Sequence, residues 1–141
     1  MRSRQLFALT GAVLLALSAL VRAGSPAPEG AKVYFISPTD GETVSSPVAV
    51  RFGLSGMGVA PAGTAKQHTG HHHLLIDVDA APPLDGPIPS DDNHRHFGGG
   101  QTETSIDLAP GKHTLQLLLG DMGQLPHDPP VMSEKITIDV K

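Results

Sequence analysis

His71-His72-His73-Leu74-Leu75-Ile76-Asp77-Val78 is the stretch on which the reading of this chain turns. Successive side chains of a β-strand point to opposite faces, so His72, Leu74, Ile76 and Val78 share one face and His71, His73, Leu75 and Asp77 the other. The first set is apolar enough to face a core, which leaves His71 and His73 side by side on the opposite, more open face. Positions two apart in a strand are separated by ~6.6 Å, close enough for both imidazoles to reach one metal ion. The same spacing recurs in His94-Arg95-His96-Phe97, and six of the eight histidines lie between His68 and Gln101.

Outward from this strand the chain reads as further short strands separated by turns. Lys32-Val33-Tyr34-Phe35-Ile36 is β-branched and aromatic and is stopped by Ser37-Pro38-Thr39-Asp40-Gly41. Val48, Val50 and Phe52 alternate with Ala49 and Arg51, the period of a half-buried strand. Glycines and prolines make 53–70 an irregular loop. Residues 80–93 hold four prolines, a composition that no helix or central strand survives, so they form a long loop. Thr104, Ile106 and Leu108, then Leu115, Leu117 and Leu119, flank Ala109-Pro110-Gly111 and predict a hairpin. Ile136, Ile138 and Val140 close the chain as a last strand. No stretch after residue 23 offers a capped helix of ordinary length. The fold class expected is all-β, a single immunoglobulin-like antiparallel β-sandwich of about seven short strands.

The opening residues are a different kind of segment. Arg2 and Arg4 precede an apolar run from Leu6 to Val21, and Val21-Arg22-Ala23 has the small residues of a cleavage site, so 1–23 is read as a signal peptide cut after Ala23. The expected organisation is then a flexible leader over 24–31 and one domain over 32–141, in a protein that is periplasmic or secreted. Beyond Ala23 there are seven Lys and Arg against fourteen Asp and Glu, a formal charge of −7. So acidic a domain lacks the basic face that nucleic acid needs, and no basic amphipathic helix offers membrane attachment after cleavage. The chain has no cysteine, which excludes disulfides, lipid attachment through cysteine and thiolate metal sites.

Val33-Tyr34-Phe35-Ile36-Ser37-Pro38 with Pro47-Val48, and Leu108-Ala109-Pro110-Gly111-Lys112-His113-Thr114-Leu115 with Gly120-Asp121, resemble the opening and closing strands of bacterial immunoglobulin-like domains. More specifically, Thr69-Gly70-His71-His72-His73-Leu74-Leu75-Ile76-Asp77, Asn93-His94-Arg95-His96-Phe97-Gly98, Gly100-Gln101-Thr102-Glu103 and His127-Asp128-Pro129-Pro130-Val131 resemble a bacterial family numbered as domain of unknown function 4399. The resemblance covers nearly all of 32–141 and implies an exported, histidine-rich domain without assigning an activity. Similar sequences often carry a histidine three residues before the one matching His127, where this chain has Gln124.

The histidines do not all ask for the same reading. His72 shares its face with Leu74 and Ile76 and is expected in the core; His68 lies in a polar loop and is expected at the surface. The candidate metal ligands are His71, His73, His94 and His96, joined by His113 or His127. Imidazole donors without thiolate suit copper or zinc and disfavour calcium and magnesium; copper ranks first because it binds such sites most tightly. Met57, Met122 and Met132 offer thioethers to reduced copper, and Asp77, Asp91, Asp92 and Asp128 are acceptors that would fix imidazole tautomers. The leading expectation is therefore a copper-sequestering or copper-delivering protein whose partners are the ion and another exported metal-handling protein. The alternative is a non-catalytic envelope module binding carbohydrate or protein, although the chain has no tryptophan and one tyrosine, Tyr34, for stacking. An enzyme ranks third: three histidines on zinc would need a general base, for which Glu103 is the candidate in sequence.

Overall fold

The computed structural model describes residues 24–141, and the expected signal peptide and its cut after Ala23 lie outside the described residues. Nine strands are present among the described residues: β1 (Lys32–Ser37), β2 (Thr43–Val44), β3 (Val48–Ser55), β4 (Gly58–Val59), β5 (Thr69–Ile76), β6 (His94–His96), β7 (Glu103–Ile106), β8 (Gly111–Gly120) and β9 (Ile136–Val140). There is no helix among the described residues. The two strands beyond the expected seven are the two-residue pieces β2 and β4.

The strands form two sheets. One has the order β1-β3-β7; the other runs β2-β9-β8-β5-β4, with β6 also paired to β5. A continuous core joins them: Val33, Val50, Phe52 and Ile106 from the smaller sheet meet Leu74, Ile76, Leu115, Leu117, Leu119, Ile138 and Val140 from the larger. Alternation sets which residues enter it. In β3, Val48, Val50 and Phe52 are buried while Ala49 and Arg51 are exposed, and in β9 Ile136, Ile138 and Val140 are buried while Thr137 and Asp139 are exposed.

β5 and β8 depart from that pattern because both their faces are covered. Every residue of β5 from Gly70 to Ile76 is buried. His72, Leu74 and Ile76 face the main core; on the other side Leu75 and Leu118 pack with Ile88, which the 80–93 loop supplies. The face expected to be open is thus closed by that proline-rich loop. A long loop with one well-placed apolar residue can cap a sheet without contributing a strand, and periodicity within β5 carries no trace of it.

One further expectation is corrected. Ala109-Pro110-Gly111 does not close a hairpin: β7 pairs with β3 and β8 with β5 and β9, so the turn carries the chain from one sheet to the other. Alternating apolar residues on both sides of a Pro-Gly turn fit a crossing between two sheets as well as a hairpin. Within 24–31, Ser25 and Ala27 hydrogen-bond to the domain. Ser25 donates its amide and its hydroxyl to the Asp121 carboxylate, both at 2.9 Å, and its carbonyl accepts from the Asp128 amide at 3.0 Å.

Candidate metal centre

The register of β5 with its neighbours builds the site. His73 lies opposite His96 of β6 on one side and Leu118 of β8 on the other, while His71 lies opposite Gly120 of β8. Residues directly opposite in neighbouring strands point to the same face, so His71, His73 and His96 converge where Gly120 contributes no side chain. One ring nitrogen from each of the three falls within 4.8 Å of the others. The three ring centroids are each 4.9 Å apart, and the Nε2 atoms of His71 and His73 are 3.1 Å apart. Two nitrogens on one tetrahedral ion at bond lengths of ~2.0 Å would be ~3.3 Å apart, so this separation needs little adjustment to accept an ion.

Missing partners mark this trio, and also His72, whose two ring nitrogens are buried without one in the main core. His71 and His73 are 0% exposed and His96 is half-buried. His71 Nδ1, His73 Nδ1 and His96 Nε2 are buried without a hydrogen-bond partner. Buried polar atoms normally have one, so three orphans in one cluster mark a place that the protein alone does not satisfy. Gly120 shows where the space lies: a Cβ built on it would sit 2.9 Å from His73 Nε2 and 3.2 Å from His71 Nε2.

Electrostatics keep His71 and His73 neutral. Burial lowers the His71 pKa to about 4, helped by His96 and opposed by the Asp121 carboxylate; burial and then His71 and His96 lower that of His73 to about 3. Neutral imidazole is the form that binds metal, so the pair stays competent at acidities where free histidine is protonated. For Asp121, burial pushes the carboxyl up, but donors from Ser25, Leu125 and Gly123 outweigh it and hold the group below the usual carboxylate range.

The remaining candidates are dispersed. His94 shares a face with His96, but its Nδ1 is 2.8 Å from Asp91 Oδ1, which draws the ring out of the cluster. His113 lies at the opposite end of β8, with Nδ1 2.7 Å from Asp77 and Nε2 2.8 Å from the Ala109 carbonyl. His127 is buried close to the trio, yet its nitrogens face backbone carbonyls, Thr69 O at 3.2 Å and Leu119 O at 3.5 Å. His72 packs its ring 5.1 Å from that of Phe52 in the main core, and burial lowers its pKa to about 4. Glu103, the general base that a zinc enzyme would require, is in the other sheet and pairs with Arg51 at 3.2 Å. Of the proposed outer acceptors, Asp77 and Asp91 serve His113 and His94 and none bonds to the trio. Asp121 and Gly120 were missed; their signal, a Gly-Asp pair ending an apolar strand, reads as an ordinary turn.

These features meet in a chain that belongs to a family described only as a domain of unknown function, DUF4399, whose model matches residues 50–141. That span contains all three converging histidines together with Gly120 and Asp121. No curated protein and no solved structure matches the chain.

Proposed function

We propose that this chain is an exported metal-binding protein, periplasmic or secreted, that holds copper through His71, His73 and His96 and serves to sequester or deliver it. The observation that carries the reading is the convergence of His71, His73 and His96 beside a glycine, with the first two rings fully buried and held neutral. Three nitrogen donors with no carboxylate among them suit copper first and zinc second. The segment from Arg2 to Ala23 supports export, and the two packed sheets are compatible with an immunoglobulin-like arrangement. Glu103, the general base considered for a zinc enzyme, lies in the other sheet and pairs with Arg51, which favours binding over hydrolysis.

The test is titration of the protein with copper(I), copper(II) and zinc against a His71→Ala/His73→Ala variant. A single site is expected, tightest for copper, with affinity reduced at least about a hundredfold in the variant, since two of three donors are gone. Equal affinities in the two proteins would sink the proposal.

A further inference from the structure

His71 and His73 are fully buried and His96 is half-buried, so an ion needs an approach to the two inner rings. A cleft of about 230 Å³ opens at the sheet end nearest His71, lined by Ser25, Pro26, residues 64–69 and Met122. His71 lies opposite Gly120, and both Thr69 and Met122 are two residues beyond that pair, on adjoining chain segments. Two strand residues span ~7 Å, so the cleft is about one such step from the nearest ligand.

Two soft or borderline donors line this cleft. Met122 is 49% exposed. His68 is held with φ at +57°, a left-handed conformation uncommon outside glycine, while its carbonyl accepts from the Gly58 amide at 2.9 Å. Between cleft and trio stands His127. Its Nε2 faces the carbonyl of Thr69, a cleft residue, and its Cε1 packs against Gly70, the neighbour of His71. A neutral imidazole carries one N–H, so it can donate to only one of the two carbonyls it faces, and the other nitrogen keeps a lone pair without a donor.

The geometry points to this cleft as the copper(I) entry site, where Met122 and His68 capture the ion before it passes His127 to His71, His73 and His96. The inference rests on the copper reading of the trio and adds the route and the oxidation state. Thioether sulfur and imidazole are the donor types that hold monovalent copper, and passage by exchange of one ligand for the next changes no oxidation state. Retention is then the work of the buried trio, and capture that of the cleft.

Uptake of copper(I) from a chromophoric copper(I) chelator, followed anaerobically by stopped flow on protein expressed from the full chain, tests the assignment. A His68→Ala/Met122→Ala variant is expected to load roughly tenfold more slowly, because a capture pair raises the local ion concentration, with equilibrium affinity unchanged. Met132→Ala removes a partly exposed thioether outside the cleft and is expected to load at the unsubstituted rate. Thermal unfolding midpoints of the three proteins verify that each is folded. An unchanged loading rate in the double variant overturns the route while leaving the copper reading standing. A loss of equilibrium affinity also overturns it, by making His68 and Met122 part of the final site. Absence of copper binding in the unsubstituted protein overturns the copper reading and the route together.

Discussion

The two ends of the β5–β8 pair use histidine in opposite ways. At one end His71 and His73 are fully buried beside His96, with no carboxylate bonded to any of the three. At the other, His113 is clasped by the Asp77 carboxylate and the Ala109 carbonyl, and its pKa is raised, first by the bond to Asp77, against a weaker effect of burial. The same side chain is thus held neutral at one end and favoured as a cation at the other. Burial without a partner makes a lone pair available to a metal; an acceptor on each nitrogen uses the ring as a double donor between segments.

The largest expected consequence of this contrast is acid sensitivity. In the unfolded chain His71, His72 and His73 titrate near 6.5, whereas in the folded protein they do so at about 4, 4 and 3. Between those values the unfolded state binds protons that the folded state refuses, so stability is full above pH ~6.5 and falls as pH drops through the window toward 4. His72, away from the trio and against Phe52, contributes on the order of 3 kcal/mol of that loss for its shift of 6.5 to about 4. Denaturant unfolding at pH 7.5 and pH 4.5 measures the drop, and His72→Phe is expected to flatten part of it. A midpoint unchanged across this range would contradict the burial account.

Next in size is the effect of filling the space at Gly120. Its φ lies outside the left-handed region, so alanine suits the backbone, yet the added methyl would press on His73 Nε2 at 2.9 Å and His71 Nε2 at 3.2 Å. Gly120→Ala is expected to cost roughly 1–3 kcal/mol of stability through overpacking and to weaken metal binding at least about tenfold. Calorimetric titration of the folded variant reads the second effect. Unaltered affinity would mean that an ion sits away from Gly120.

Much of this contrast was legible before any coordinates. The period of two placed His71 and His73 together, placed His72 in the core, and found the buried sets of β3 and β9, because alternation is a local property of a strand. His96 was foreseen as a candidate, but its choice over His94 depends on the register that sets His96 opposite His73 and His94 opposite Leu75, and on Asp91, three residues before His94, holding its ring. The crossing at Gly111 and the cover provided by Ile88 are tertiary events, invisible to a local pattern. The role of Asp121 is hidden for a similar reason: its partners Ser25 and Leu125 lie 96 and 4 residues away in sequence, and only folding joins them at one carboxylate.

Smaller effects belong to the opposite end. His113 binds its proton more tightly in the folded than in the unfolded state, so its contribution to stability is complete below pH ~6.5 and is lost as pH rises through the raised folded value. That is the reverse of the trend at the trio. Because Asp77 is substantially exposed, solvent screens the pair, and the contribution is expected to stay below about 1 kcal/mol. Asp77→Asn isolates it: asparagine tolerates the φ of +55° and keeps an oxygen for the Thr114 amide, now bonded at 2.9 Å, while removing the charge. The expected result is a flatter stability profile above pH 6.5 with the acid limb intact, read from unfolding midpoints between pH 6 and 9.

The smallest effect predicted is the one that separates two neighbours. His94 and His96 are two residues apart on one strand and share a face, yet only His96 reaches the trio, because Asp91 accepts from the His94 ring and from its backbone amide at 2.9 Å. His94→Gln should therefore leave metal affinity within about twofold of the unsubstituted value, as expected for a side chain that donates nothing to the ion. His96→Gln removes one donor of three and should weaken binding at least about tenfold. If both substitutions weakened binding equally, the two rings would have to exchange places around the ion. Asp91→Ala would then tighten binding by freeing the His94 ring, so affinity of that variant distinguishes a fixed trio from a shared one.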